Sequence, residues 1–200
     1  MIQDKRSSAG KIIILNGPSS SGKSTLARML QSKLDQPFWH VSIDHIRDAG
    51  VLPLDRIKKG DFEWQAMRAA FFEGFHRSLG AYAQAGNHLI VEHIVETDEW
   101  MRWLVEFLAP YDVFFVRLHC PVQELERREI GRGNRPLGDA RRDFDSIHHH
   151  ALYDLELDST EPAARNAELL ISSWRTRNRP SAFEQLAVRF HRGRNDESSH

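Results

Sequence analysis

The most constraining feature of the chain is a glycine-containing segment that follows a short apolar run. Residues 11–30 read KIIILNGPSSSGKSTLARML, in which four aliphatic residues precede the pattern G-x-x-x-x-G-K-S. This pattern is the P-loop, in which backbone N–H groups and the start of the next helix surround the phosphates of a nucleotide. The aliphatic run predicts a strand, and apolar residues at helical spacing after the loop predict a helix. The segment therefore predicts a nucleoside triphosphate site.

Each part of this motif has a physical reason. Gly17 and Gly22 permit backbone angles and a close approach of phosphate that a Cβ atom would hinder. The ammonium group of Lys23 is expected to reach the β- and γ-phosphates, and the hydroxyl of Ser24 is expected to bind Mg²⁺. The residues predicted to bind the nucleotide are Gly17, Pro18, Ser19, Ser20, Ser21, Gly22, Lys23, Ser24 and Thr25.

Four more apolar runs alternate with helical patterns along the chain. Strands are predicted at residues 11–15, 38–43, 88–92, 113–118 and 153–158. Alternation of strands and helices predicts an α/β protein of the P-loop NTPase fold, with a five-stranded parallel sheet flanked by helices. We expect residues 1–178 to form the P-loop domain. We expect residues 179–200 to form a C-terminal extension, with one short helix at 181–190 and a disordered end.

The composition narrows the class of protein. The formal net charge of −1 over 200 residues indicates neither a nucleic-acid partner nor a membrane surface. No apolar run reaches the length of a membrane helix, and residues 1–10 lack the apolar region of a signal peptide. The single cysteine, Cys120, is consistent with a reducing compartment. We therefore expect a cytoplasmic protein, and no sequence feature indicates its oligomeric state.

Two carboxylates follow predicted strands whose carboxyl ends lie at the same edge of the sheet, where ligands bind. Asp44 follows the strand at 38–43, and Glu92 ends the strand at 88–92. Asp44 is interpreted as a general base that accepts a proton from a substrate hydroxyl, with Mg²⁺ binding through water or helix capping as alternatives. Glu92 occupies the Walker-B position that holds Mg²⁺ through its water shell, and it is an alternative base.

An arginine-rich segment with glycine and proline follows the fourth predicted strand. Its arginines are Arg127, Arg128, Arg132 and Arg135. Arginines stabilise the charge that develops on a transferring phosphoryl group, so this segment (residues 127–138) is interpreted as a lid that closes on the nucleotide. Arg132 and Arg135 are the expected catalytic arginines. The alternative is a solvated helix, because glutamates are interleaved with the arginines at pairing distance.

These motifs together resemble the chloramphenicol 3-O-phosphotransferase family of P-loop kinases over residues 11–175. The matching segments are IILNGPSSSGKST, SID, LIVEH, VRLHCPVQELERREIGRGNRPLG and YDLELDST. The resemblance implies an ATP-dependent kinase in which Asp44 is the base and Lys23 and Ser24 act on phosphate and Mg²⁺. It also implies that Arg132 and Arg135 lie near ATP. Arg128 of the same segment is likewise expected to bind the nucleotide. By analogy with related P-loop kinases, the adenine is expected near residues 158–160.

The predicted function is that of an ATP-dependent O-phosphotransferase that acts on a hydroxyl of a small molecule such as an antibiotic, with ATP and Mg²⁺ as cofactors. One alternative is a P-loop kinase for a sugar, a nucleotide precursor or a toxin-type substrate. Another is a nucleotide-binding regulatory module without transfer activity. At one position the chain departs from the family pattern. His93 follows Glu92, where a second acidic residue is common.

Overall fold

The computed structural model describes residues 9–132, 137–147 and 152–197. The strands are β1 (Lys11–Asn16), β2 (Phe38–Ser42), β3 (His88–His93), β4 (Asp112–His119) and β5 (Leu155–Asp158). The helices are α1 (Lys23–Lys33), α2 (Ile43–Asp48), α3 (Leu54–Lys58), α4 (Trp64–Gln84), α5 (Asp98–Leu108), α6 (Val122–Arg132), α7 (Asp139–Ser146), α8 (Ala163–Arg175) and α9 (Ala182–Glu197). Within the described residues, no helix combines the length and the apolar character needed to cross a membrane.

The five strands form one parallel sheet in the order β2-β3-β1-β4-β5. The predicted five-stranded parallel sheet is therefore confirmed. The central strand β1 is bonded on both sides, and its four aliphatic residues are fully buried. A strand that is covered on both faces must be apolar throughout, which explains the uninterrupted aliphatic run in the sequence.

Helices cover both faces of the sheet. Side chains alternate along a strand, so Ile12 and Ile14 of β1 pack into the core beneath α4, α5 and α9, whereas Ile13 and Leu15 pack beneath α1 and α8. The loop between β1 and α1 therefore lies at the carboxyl edge of the sheet, where the ends of β2, β3 and β4 also lie.

Some element boundaries differ from the sequence prediction. Strand β2 ends at Ser42, because the Ser42 hydroxyl accepts a hydrogen bond from the backbone N–H of Asp44 (3.2 Å) and starts helix α2. Strand β5 begins at Leu155 instead of Tyr153, since Asp154 uses its carboxylate to accept the backbone N–H of Phe115 (2.7 Å). Between β2 and α4 the chain forms two short helices, α2 and α3, which the strand pattern of the sequence did not indicate.

The C-terminal helix α9 is longer than the predicted helix at 181–190, and it reaches Glu197. Its first turns are buried in the core that also contains β4 and α5. The Phe183 ring packs edge-on against Phe115, with centroids 5.1 Å apart. The division of the chain at residue 178 stays a prediction, while this contact joins α9 directly to the sheet.

Two buried histidines face each other between α4 and the end of β3. Nε2 of His76 and Nε2 of His93 are 2.6 Å apart, and both side chains are buried. Burial, aided by the neighbouring ring of His93, lowers the pKa of His76 to about 2. Burial also lowers the pKa of His93 to about 4. Both rings are therefore neutral at pH 7, and one donates its N–H to the other.

We expect Phe183→Ala to lower the free energy of unfolding by about 3–5 kcal/mol, because it removes a buried aromatic ring from the core. Val188→Ala on the same helix is the matched control, since Val188 is 52% exposed; it should change stability by less than about 0.5 kcal/mol. Urea unfolding of both variants checks this. Equal, small losses in the two variants would show that α9 does not stabilise the domain.

We expect acid to destabilise the fold through His76. Its folded-state pKa lies below the ordinary value of 6.5, so below pH 6.5 the unfolded chain binds a proton that the folded chain excludes. The free energy of unfolding therefore has its full value above pH 6.5, and it falls by ~1.4 kcal/mol for each pH unit below that value. Urea unfolding between pH 7 and 4.5 should show a shallower pH dependence for His76→Leu than for the wild type. Identical slopes would contradict this account.

Candidate active site

The loop between β1 and α1 has the backbone geometry of a phosphate cradle. Ser20 and Gly22 adopt left-handed φ values of 65° and 91°. At Gly17, a Cβ atom would lie 2.8 Å from the carbonyl oxygen of Leu118, so only glycine fits there. Helix α1 begins directly after the loop, and its N-terminal N–H groups face the same space. This end of the helix favours a bound anion.

Lys23 lies at the centre of this cradle. Its ammonium donates hydrogen bonds to the carbonyl oxygens of Gly17 (2.7 Å) and Pro18 (2.8 Å). The side chain therefore curls over the loop, and its positive charge is held where an anionic ligand would bind. Burial of Lys23 strengthens its electrostatic effect on neighbouring groups.

Ser24 and Glu92 are linked next to the loop. The Ser24 hydroxyl donates a hydrogen bond to Oε2 of Glu92 (2.9 Å), and the other carboxylate oxygen, Oε1, contacts Nε2 of His40. Burial raises the pKa of Glu92, but the hydrogen bond to His40 and the ammonium of Lys23 outweigh burial and hold this pKa below its usual range. Glu92 is therefore ionised at neutral pH, so His40 donates its Nε2–H to the carboxylate.

Asp44 lies in a helix and not at the end of strand β2, where the sequence analysis had placed it. It is the second residue of α2, and its Oδ1 pairs with a guanidinium nitrogen of Arg47 at 3.0 Å. The Ser42 hydroxyl caps the start of α2, and Asp44 in the first turn of this helix lines a recess beside the loop. The Asp44 side chain is 34% exposed, which leaves it open to an incoming ligand.

A recess of about 70 Å³ brings the predicted residues together. Its walls come from the loop, the start of α2 and the end of β3. The predicted residues among its lining are Ser19, Ser20, Gly22, Lys23, Ser24, Asp44 and Glu92. The two predicted carboxylates, the lysine and the serine that is predicted to bind metal thus share one space. Their individual chemical roles stay predictions.

A larger cavity of about 430 Å³ lies on the other side of the loop. Ser20, Ser21, Gly22 and Thr25 line one wall, and Arg128 with residues 159–161 lines another. Arg128 donates to the carbonyl of Ser159 (2.9 Å) and to Glu124 (2.6 Å), which fixes its guanidinium beside the cavity. The volume lies within the range of nucleotide and cofactor pockets, and the position agrees with the predicted adenine site.

The structure describes only part of the predicted lid (residues 127–138). Arg132 is the last residue of α6, but its side chain and the whole of Arg135 lie outside the part of the chain that the structure describes. Helices α6 and α7 are joined by Glu129, whose carboxylate accepts the backbone N–H groups of Gly138 (2.8 Å) and Ala140 (2.9 Å). The roles of Arg132 and Arg135 stay predictions.

Asp143 of α7 reaches the phosphate loop, which the sequence did not indicate. Its Oδ2 accepts the backbone N–H of Ser19 at 3.0 Å, and the side chain is buried. Its other oxygen, Oδ1, lies 3.3 Å from a guanidinium nitrogen of Arg142. Helix α7 is therefore tied directly to the nucleotide site.

His40 is a second residue of the site that sequence reasoning missed. Strand alternation places residues 38, 40 and 42 on one face of β2, and this was the only available signal. This alternation does not identify the residue that His40 contacts, because the order of the strands is not known from it. Pairing of β2 with β3 sets His40 opposite Ile90, two residues before Glu92 on the same face.

Aromatic side chains lie behind the recess. Phe72 of α4 stacks on Trp100 of α5, with ring centroids 4.0 Å apart, and Arg68 lies over the Trp100 ring at 4.5 Å. His93, which lines the recess, also lies within 5.8 Å of the Trp100 ring centroid. His93 thus connects the recess to a cluster of aromatic side chains, in which Phe72 is half-buried and Trp100 is buried in the core.

Solved structures with a similar fold include kinases. The APS kinase of Mycobacterium tuberculosis, in complex with AMPPNP and APS, has a TM-score of 0.63 and 22% identity over 84% of this chain and 98% of its own. A gluconokinase from Sinorhizobium meliloti has a TM-score of 0.60 and 15% identity over 92% of this chain and 97% of its own. These likenesses establish the P-loop kinase fold.

Sequence relatives specify the family. A Mycobacterium tuberculosis protein named as a candidate O-phosphotransferase is 31% identical over an alignment 201 residues long. The alignment covers 90% of this chain and 89% of the relative. The profile of the family described as chloramphenicol phosphotransferase-like protein matches residues 10–175. The chain therefore belongs to the chloramphenicol phosphotransferase-like family, and it is a phosphotransferase with a P-loop kinase fold.

Proposed function

We propose that the protein transfers the γ-phosphoryl group of ATP to a hydroxyl of a small molecule, with Asp44 as the general base. The observation that carries this proposal is the shared recess, which Lys23, Ser24, Asp44 and Glu92 all line. A regulatory module needs a nucleotide pocket alone. A carboxylate outside the phosphate cradle, open to an incoming ligand, is what transfer to a hydroxyl requires in addition.

The phosphate groups would lie in the loop. Backbone N–H groups of residues 20–25 and the ammonium of Lys23 would hold the β- and γ-phosphates, and the base would occupy the cavity beside Arg128. In this placement the γ-phosphate points away from the 430 Å³ cavity and toward the smaller recess. The acceptor hydroxyl would approach from the Asp44 side.

Ser24 and Glu92 fit a magnesium ion. They offer a hydroxyl and a carboxylate oxygen 2.9 Å apart, and hard oxygen donors of this kind, together with phosphate and water, are what Mg²⁺ prefers. When bound, Mg²⁺ would neutralise charge on the phosphates. Glu92 keeps its own charge at neutral pH because its pKa is held below the usual range.

Asp44 would accept the proton of the acceptor hydroxyl. Its partial exposure permits contact with a ligand, and Arg47 lies against its Oδ1 on the side of α2. Glu92 is the weaker candidate, since both of its oxygens already accept hydrogen bonds from protein groups. Arg132 and Arg135 would close from the lid and stabilise the charge on the transferring group.

The acceptor would enter against the aromatic side chains of α4 and α5. The half-buried ring of Phe72, which stacks on the buried Trp100 and lies 6.4 Å from the His93 ring of the recess, would favour a substrate with apolar or aromatic surface next to its hydroxyl. Chloramphenicol, which gives the family its name, is a compound of this kind and is therefore our first choice of acceptor.

We expect Asp44→Asn to lower kcat by about 10²–10⁴-fold while the affinity for ATP is kept, because only the proton acceptor is lost. Steady-state kinetics with ATP and a responsive acceptor, together with ATP binding by calorimetry, measure both quantities. Asp48→Asn is the matched control, since Asp48 lies on the same helix and contacts the same arginine but does not line the recess. Turnover of Asp44→Asn close to that of the wild type would transfer the role of base to Glu92.

We expect labelled ATP to transfer its γ-phosphate to at least one compound in a panel of hydroxyl-bearing antibiotics, sugars and nucleosides that includes chloramphenicol. The same reaction with Lys23→Ala should transfer little label, because the γ-phosphate loses its cation. ATP consumption that no hydroxyl compound stimulates would contradict the kinase proposal and would favour a regulatory module.

A further inference from the structure

Glu92 carries two hydrogen bonds that come from opposite sides. Oε2 accepts the Ser24 hydroxyl from helix α1, and Oε1 accepts the Nε2–H of His40 from strand β2. Only 8% of each of the His40 and Glu92 side chains is exposed. A buried carboxylate held at both oxygens has one orientation, and the position of its Ser24-bonded oxygen is therefore fixed.

The imidazole of His40 is itself held in place. Strand pairing sets its Cα opposite Ile90, so that its ring and the Glu92 carboxylate project from the same face of the sheet. The edge of the ring meets His45 of α2, with centroids 4.6 Å apart and planes at 78°. His40 thus has packing on one side and the carboxylate on the other.

The direction of the Ser24 hydrogen bond matters for a cation. The hydroxyl donates its hydrogen to Glu92, and a hydroxyl that donates in one direction presents its lone pairs in the others. A rotated Glu92 carboxylate would release this hydrogen, and the hydroxyl would then be free to turn its hydrogen toward the cation. The bond from His40 to Glu92 prevents that rotation.

We infer that His40 is a positioning residue of the cation site, which acts through Glu92 to direct the lone pairs of the Ser24 hydroxyl at the metal. His40 does not touch the substrate or the metal. This inference rests on the proposed binding of Mg²⁺ with a nucleotide, but it does not depend on which hydroxyl receives the phosphate. Loss of such supporting contacts lowers metal affinity by about 10–100-fold in known metal sites.

The test uses Mn²⁺ in place of Mg²⁺, a non-hydrolysable ATP analogue and no acceptor. Electron paramagnetic resonance of free Mn²⁺ measures metal affinity in the nucleotide complex, and calorimetry with EDTA measures nucleotide affinity without metal. His40→Ala removes the contact. His40→Phe keeps a ring against His45 but has no N–H, and His40→Gln restores an N–H donor.

We expect His40→Ala and His40→Phe to weaken Mn²⁺ binding by about 10–100-fold and to change metal-free nucleotide affinity by less than about two-fold. His40→Gln should recover most of the Mn²⁺ affinity. His88→Ala is the control, because His88 lies at the opposite end of β3, where its ring accepts the backbone N–H of Lys11; it should keep wild-type Mn²⁺ affinity. If His40→Ala does not fold, the comparison of His40→Phe with His40→Gln carries the test.

Three results would overturn the inference. Wild-type Mn²⁺ affinity in His40→Phe would show that Glu92 needs no support. Equal losses with and without metal would show that His40 serves the fold alone. A wild-type nucleotide complex that binds no Mn²⁺ would remove the cation site itself. Failure of the acceptor screen, with the His40 effect present, would instead reject the proposed hydroxyl transfer and leave this inference standing.

Discussion

Parallel pairing of β1 on both of its edges determines where the phosphate loop begins. Asn16, the last residue of this strand, is fully buried, and its amide is bonded at both ends. It donates to the Tyr153 hydroxyl and accepts the backbone N–H of Val95, each at 3.0 Å. A buried amide with either end unpaired would be costly, so the end of β1 has one stable position. The loop, and every group that meets it, depends on that position.

Two carboxylates at the edge of the sheet lie in different environments, and this difference fits the separate roles that we propose for them. Glu92 is buried and accepts hydrogen bonds at both oxygens, which suits a group that stays ionised and fixed. Asp44 is partly exposed at the start of a short helix, which suits a group that meets a ligand. Enzymes commonly assign roles to paired carboxylates through such contrasts of environment.

The surroundings of His93 suit a neutral ring better than the second acid that is common at this place in the family. Alternation along β3 turns residue 93 away from Glu92 and toward α4 and α5, where His76, Phe75 and Trp100 surround it. A carboxylate in place of His93 would lie among these rings, where burial disfavours a charge. The two imidazoles share one hydrogen bond and are neutral at pH 7, so this pair adds no net charge to the aromatic cluster, although Nδ1 of His76 has no hydrogen-bond partner among the described residues.

The sequence was sufficient for those features whose signal is local. The glycines, lysine and serine of the loop lie within nine consecutive residues. Four of the strands are mostly apolar and β5 alternates between leucine and acidic residues, so the loop and the sheet were both predictable. The sequence pointed to Asp44 but placed it at the end of β2 instead of in α2, because a single serine hydroxyl at position 42 decides where β2 ends.

His40 and Asp143 were not predictable from local patterns. Each acts through a partner that is distant along the chain: His40 contacts Glu92 across two strands, and Asp143 contacts Ser19 from another helix. Such contacts depend on strand order and helix direction, which composition and periodicity do not determine.

The family match and the hydrophobic core end at different residues, because α9 belongs to the core but lies beyond the match. The family match ends at residue 175, yet Phe183 and Leu186 lie beyond it and share a core with Phe115 of β4. The segment that matches the family model is therefore shorter than the chain that builds this hydrophobic core. A chain that carried only the matched segment would need another segment or a partner to cover the same face of β4.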